Sequence, residues 1–154
     1  MTADPYVATV QIAADPEHVF RYFTEPEALT RWMGRHAVLD PKPGGEFSLD
    51  VFRINVRGRY LEVDPPRRLV ISWGHEGSAV LPPGASTVEI TFTPVAGGTL
   101  VQLLHRDLPD VEAPAHALGW PHFLDRLQRL GSGEDPGADP WLTSPPPSAP
   151  TSLR

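Results

Sequence analysis

From Tyr6 to Ala14 the chain alternates, with Val7, Thr9 and Gln11 on one side and Ala8, Val10 and Ile12 on the other. A period of two predicts a strand. At Asp15 the pattern changes. Asp15-Pro16-Glu17 predicts a helix start, with Asp15 as N-cap and Pro16 at the first helical position. Val19, Phe20 and Phe23 give that helix one apolar face. Thr24 and Pro26 predict a second start, with Leu29, Trp32 and Met33 as its stripe and Gly34 as its stop.

Alternation returns after Gly34. A short strand is expected over His36 to Leu39, then a turn at Pro43-Gly44-Gly45 and a strand carrying Phe47, Leu49 and Val51 on one face. Ile54, Val56, Gly58 and Tyr60 share one face of the next strand, with Arg53, Asn55, Arg57 and Arg59 on its wet face. Asp64-Pro65-Pro66 is a turn, because proline fixes φ and aspartate bonds its own backbone. Leu69, Ile71 and Trp73 alternate behind it, and Gly74 to Ala85 has the composition of a loop. Val88, Ile90 and Phe92 form one face of a strand. Gly97-Gly98 closes a tight hairpin, and Thr99, Val101, Leu103 and His105 line one face of the last strand.

The period then lengthens to that of a helix, roughly Ala113 to Leu130. Its stripe is Trp120, Phe123, Leu124, Leu127 and Leu130, with Arg126, Gln128 and Arg129 outside. Pro121 removes the bond to the Ala117 carbonyl, which predicts a kink or a restart near Gly119. From Gly131 to Arg154 the chain is rich in Gly, Pro and Ser, with Trp141-Leu142 as its one apolar pair. Such a segment cannot offset the entropy of ordering it and is expected as a disordered tail, leaving 1–130 as the single domain.

The element order is strand, two short helices, about six more strands, then a long helix. Short turns make consecutive strands antiparallel. Each strand has one apolar face, and only the last helix is long enough to cover the resulting sheet. An α+β domain follows, with a curved antiparallel sheet of about six to seven strands gripping its C-terminal helix.

Composition narrows the chemistry. The chain has 154 residues, 40% hydrophobic, and a formal net charge of −6. That balance argues against a nucleic-acid partner or an anionic membrane surface. With no cysteine, disulfides, thiolate metal sites and cysteine nucleophiles are excluded. No apolar run reaches membrane-spanning length and no secretory signal is visible, so the expected compartment is cytoplasmic. His116 and His122 lie six positions apart, about 600° around an ideal helix and so on different faces, and no metal is expected. No Gly-x-Ser-x-Gly elbow or phosphate-cradling glycine loop is present, and no catalytic residue or cofactor is assigned.

Several segments together resemble a known family. They are Ile12-Ala13-Ala14-Asp15-Pro16-Glu17-His18-Val19-Phe20, Trp32, Gly44-Gly45-Glu46-Phe47, Gly58 through Leu69, Ser72-Trp73, Gly98-Thr99, His105, and Gly119-Trp120 with Phe123-Leu124. Their order is similar to the Hsp90-ATPase-activator-homologue branch of the START-like helix-grip (SRPBCC) superfamily, over roughly residues 6 to 130. The resemblance implies a cavity between sheet and C-terminal helix, which many relatives use for lipids, polyketides or other hydrophobic molecules. Some relatives sequester reactive natural products in antibiotic-producing bacteria, so biosynthesis or self-resistance is a special case. Pro121 departs from the family's more helix-friendly residue after Gly-Trp.

On that footing the expected ligand lining is Phe47, Leu49, Tyr60, Ile71, Trp73, Phe92, Leu103, His105, Trp120, Phe123 and Leu124. His105 and Tyr60 are the polar candidates, and Ser72 falls on the opposite strand face. The expected partner is a small hydrophobic molecule, taken up by a monomer or weak homodimer. One rival is a polyketide cyclase or aromatase using His105 or a tyrosine as its reacting group. Another is an interaction module using the tail or the basic face of Arg53, Arg57, Arg59, Arg67 and Arg68, although a solvated face is the plainer reading of those arginines.

Overall fold

The computed structural model describes residues 2–143. Seven antiparallel strands form one curved sheet in the order β1-β7-β6-β5-β4-β3-β2. The strands are β1 (Tyr6–Ile12), β2 (His36–Leu39), β3 (Glu46–Val51), β4 (Ile54–Asp64), β5 (Arg68–His75), β6 (Ser86–Val95) and β7 (Gly98–Arg106). Two short helices, α1 (Pro16–Arg21) and α2 (Pro26–Leu29), follow β1, and α3 (Ala113–Gly131) closes the domain. The expected helix-grip architecture is therefore the observed one.

Local chemistry sets most of these boundaries. The Asp15 side chain accepts from the backbone N–H of His18 at 2.8 Å and caps α1. The second helix differs from expectation. Glu25, not Thr24, occupies its N-cap, while the Thr24 hydroxyl donates back to the Phe20 carbonyl at 3.4 Å. Trp32 and Met33 consequently sit beyond the helix, yet both remain in the core. Between Tyr60 and Glu62 the register of β4 against β5 shifts, a bulge that bends the sheet.

The core lies between the concave face and the helices. Ile12, Leu49, Tyr60, Ile71, Val88, Leu103 and Leu127 are fully buried. The C-terminal end of α3 sits tightly on β1, where a Cβ on Gly131 would lie 2.2 Å from Ile12 Cγ2.

Two expectations about the C-terminal region are corrected. Arg126, expected outside, is buried. Its guanidinium donates to the carbonyls of Trp32, Arg31, Pro136 and Gly137 at 2.9 to 3.3 Å. Correspondingly, the segment from Gly131 to Thr143 lies along the domain instead of leaving it. A 3-10 turn at Pro140–Leu142 stacks Trp141 on His122 with ring centroids 3.7 Å apart, and Asp139 accepts from His122 at 2.8 Å. Few apolar residues are needed because Arg126 supplies the backbone carbonyls of this segment with donors. The rest of the expected tail, 144–154, falls outside the described residues.

Candidate functional site

Beneath the N-terminal half of α3, the ends of three central strands present one group of side chains. Period-two alternation on β5 aims Trp73 and His75 inward, β6 contributes Ser86, and β7 contributes His105. The ceiling comes from Glu112, at the N-cap of α3, and from His116 and Trp120, spaced four apart on one helix face. All seven are buried, with Trp73 6% and His105 0% exposed.

Aromatic rings line this region. Trp73 meets Trp120 at 5.3 Å, Phe47 at 5.6 Å and His105 at 5.8 Å between centroids, and Phe47 meets Tyr60 at 5.6 Å. These large planar side chains meet across the gap between sheet and helix. His75 stacks on His116 at 5.5 Å, and His116 meets His105 edge-on at 5.1 Å. Among the described residues no group of three or more His, Asp or Glu side chains is placed to hold a metal ion.

Hydrogen bonds divide this cluster in two. One half is closed. Trp120 Nε1 donates to His105 Nδ1 at 3.1 Å. The Ser86 hydroxyl donates to the Trp73 carbonyl at 2.7 Å and lies 2.8 Å from His105 Nε2. Since the hydroxyl's proton is committed, His105 must carry its own on Nε2 and donate to Ser86. Both nitrogens of neutral His105 are then engaged. The Tyr60 hydroxyl is likewise committed, donating to the Phe23 carbonyl at 2.8 Å. Neither residue offers a free base to a substrate.

The other half is open. Trp73 Nε1, His75 Nδ1 and both carboxylate oxygens of Glu112 are buried without a hydrogen-bond partner among the described residues. His116 Nδ1 donates to the Glu112 carbonyl at 2.9 Å but stays 3.9 Å from its carboxylate. Orphaned buried polar groups each cost roughly 1–3 kcal/mol, so such a concentration calls for an explanation. Charge is suppressed here. Burial, with His116 nearby, holds His75 down to about 4. Burial, then His116 and His75, holds His105 well below the ordinary histidine value. Burial also lowers His116, against an upward pull from its bond to the Glu112 backbone, and raises Glu112. The site is thus apolar-walled, uncharged on its histidines, and supplied with unused donors and acceptors.

The expected lining residues do not all meet here. Phe47, Tyr60, Trp73, His105 and Trp120 do. Phe92 instead packs on Phe20 and Phe23 at 5.2 and 5.4 Å, under α1. Phe123 is half-buried, against His122 at 4.9 Å and Trp141 at 5.8 Å. Leu49, Ile71, Leu103 and Leu124 are core residues, and Ser72 bonds the Arg59 backbone N–H from the other face of β5.

His75, Ser86, His116 and Glu112 were not among the expected lining. A signal existed for the first two. His75 continues the series Leu69, Ile71, Trp73, and Ser86 continues Val88, Ile90, Phe92 backwards by the same step. Gly74 disguised it. That glycine reads as a loop residue, yet it lies in β5, where a Cβ would sit 1.9 Å from the Pro82 carbonyl oxygen.

Three of the five outer-face arginines are paired with acidic neighbours. Arg57 pairs with Asp50 and Glu76, Arg67 with Asp64, and Arg68 with Glu62 and Glu89 at 2.9 to 3.2 Å. Arg59 donates to the Gly44 carbonyl and Arg53 lies over the Phe52 ring. A shallow cleft of about 310 Å³ between the β6–β7 turn and the end of α3, reached by Gln11, Gly97, Gln128 and Glu134, lies away from the aromatic cluster. No helix among the described residues is long and apolar enough to cross a membrane.

Comparisons with known proteins agree with this fold. The family model described as Activator of Hsp90 ATPase homolog 1-like protein matches residues 13–131. An AHSA1-like protein from Rhizobium etli, solved in solution, is 41% identical, with a TM-score of 0.67 and coverage of 90% of this chain and 89% of that one. CalU16 from Micromonospora echinospora is 29% identical, with a TM-score of 0.71 and coverage of 88% and 77%. DynU16, a protein of the dynemicin biosynthetic locus, shares the fold at 22% identity and a TM-score of 0.74. It covers 87% of this chain, which spans only 49% of DynU16. No curated protein matches the chain.

Proposed function

The chain belongs to the Activator of Hsp90 ATPase homolog 1-like family, and from that premise we propose that it binds a small hydrophobic molecule between the sheet and the N-terminal half of α3. One observation carries the reading: unpartnered Trp73 Nε1 and His75 Nδ1 lie in a buried wall of aromatic rings. A guest seated there gains apolar contact from Trp73, Trp120 and Phe47 and gives those atoms a partner.

Entry requires the ceiling to lift. Glu112, His116 and Trp120 all precede Pro121, whose missing N–H leaves the Ala117 carbonyl without its helical bond. Gly119, with open space where a Cβ would stand, lies two residues before it. Helix α3 runs unbroken through both, and on this reading they form the hinge: the half-helix from Ala113 to Trp120 lifts, releasing the Trp120–His105 bond, while the half beyond Pro121 stays anchored by Arg126 and Leu127. The relative from the dynemicin biosynthetic locus supports looking among polyketides and similar natural products, handled in the cytoplasm for biosynthesis or self-resistance. The engaged nitrogens of His105 favour binding over a cyclase reaction, and the paired arginines disfavour a charged docking face.

The neutral fluorophore N-phenyl-1-naphthylamine tests this. Saturable one-to-one binding with energy transfer from tryptophan, weakened at least about tenfold in Trp120→Ala or Trp73→Phe, is the expected result. Absence of saturable binding to the folded wild-type protein would overturn it.

A further inference from the structure

The open half of the cluster also specifies what the guest carries at its polar end. Trp73 Nε1 can only donate, the Glu112 oxygens are acceptors when ionised, and His75 Nδ1 takes either role. Glu112 is fully buried at the N-cap of α3, and its side chain makes no hydrogen bond to the helix it begins. His116, whose Nδ1 lies 3.9 Å from the carboxylate, donates instead to the Glu112 backbone carbonyl. The carboxylate is therefore free for something outside the protein's own bonding.

Resting on the binding reading above, we propose that the guest is a neutral apolar molecule presenting a hydroxyl group, phenolic or alcoholic, to Trp73, His75 and Glu112. A hydroxyl accepts from the indole N–H while donating to the carboxylate. A carboxylate or phosphate guest brings only acceptors and meets the Glu112 oxygens with like charge. An ammonium guest satisfies Glu112 but offers nothing to the indole and has to shed its hydration among aromatic rings. A pure hydrocarbon leaves all four atoms orphaned.

Calorimetric titration with 2-naphthol, naphthalene and 2-naphthoate at pH 7.5 separates these classes on one apolar body. Two recovered hydrogen bonds predict 2-naphthol binding about tenfold or more tightly than either of the others. In Trp73→Phe and in Glu112→Leu, each checked for cooperative unfolding, the naphthol-to-naphthalene ratio should fall to within about threefold of one, through loss of one of two bonds each worth a few-fold. If a variant does not fold, the wild-type series and the other variant decide. Equal affinities in the wild type overturn the inference, as does a preference that survives both substitutions. Failure of all three compounds while N-phenyl-1-naphthylamine still binds overturns the hydroxyl assignment alone. Failure of that probe as well removes the binding reading beneath it.

Discussion

The indole N–H of Trp120 donates to Nδ1 of His105 at 3.1 Å, tying the middle of the last helix to the last strand. This bond fixes the histidine's tautomer and, through Ser86, runs on to the backbone of β5. A sheet of three adjacent strands and the helix above it are thus joined by one buried chain of donors.

Breaking that chain should be costly. His105→Ala strands the Trp120 N–H without its acceptor and opens a cavity where nothing was exposed. We expect a loss of roughly 3 kcal/mol in urea unfolding, combining an orphaned group with lost packing. His105→Gln, which can accept in place of Nδ1, should recover part of it.

Acid should weaken the domain before its carboxylates titrate. An unfolded histidine has a pKa near 6.5, whereas folded His75 is held at about 4 and His105 and His116 are also lowered. As the pH falls, the unfolded chain takes up these protons first. Stability is complete above about 6.5 and declines through the window down to about 4, His75 alone accounting for up to about 3 kcal/mol. Glu112, raised by burial, has the opposite sign, contributing at low pH and losing that contribution as pH rises through its folded value. Urea midpoints at pH 7, 6, 5 and 4 should fall steadily, and less steeply in His75→Phe. A flat wild-type profile would contradict the burial of three neutral rings.

Arg126 should hold the C-terminal segment. Arg126→Met removes donors to Trp32, Arg31, Pro136 and Gly137 and the ion pair with Asp139 at 3.8 Å. The expected cost is about 2–4 kcal/mol, from several bonds to a charged donor. Amide exchange should accelerate most at 136–142, a pattern that a general loss of core packing would not produce.

Pro121 is exposed, so replacing it disturbs no packing. Pro121→Ala should restore the helical bond to the Ala117 carbonyl and raise stability by up to about 3 kcal/mol. A stiffer ceiling should also slow the association of N-phenyl-1-naphthylamine in stopped-flow fluorescence. Unchanged association would remove the hinge from the entry route.

Much of the site was readable from alternation. Phe47, Tyr60, Trp73 and His105 fall on inward positions of their strands, and Trp120 on the inward stripe of α3. The readings failed where a residue's role depends on a distant neighbour. Gly74 read as loop although the approach of Pro82 places a glycine within β5. Arg126 read as solvent-facing because its acceptors come from residues around 31 and 136. Glu112 read as nothing at all, since a glutamate before a helix is an ordinary surface residue until a sheet is folded beneath it.

Alone, the amino-acid order determined the strands, the capped first helix, the covering helix and the helix-grip class, because period and capping are local properties of consecutive residues. Tertiary structure decided which polar atoms find partners. Hydrogen bonding depends on distances of about 3 Å between residues far apart in the chain, and no local pattern records that the Trp120 indole reaches His105 while Trp73 Nε1, His75 Nδ1 and the Glu112 carboxylate find no partner among the described residues.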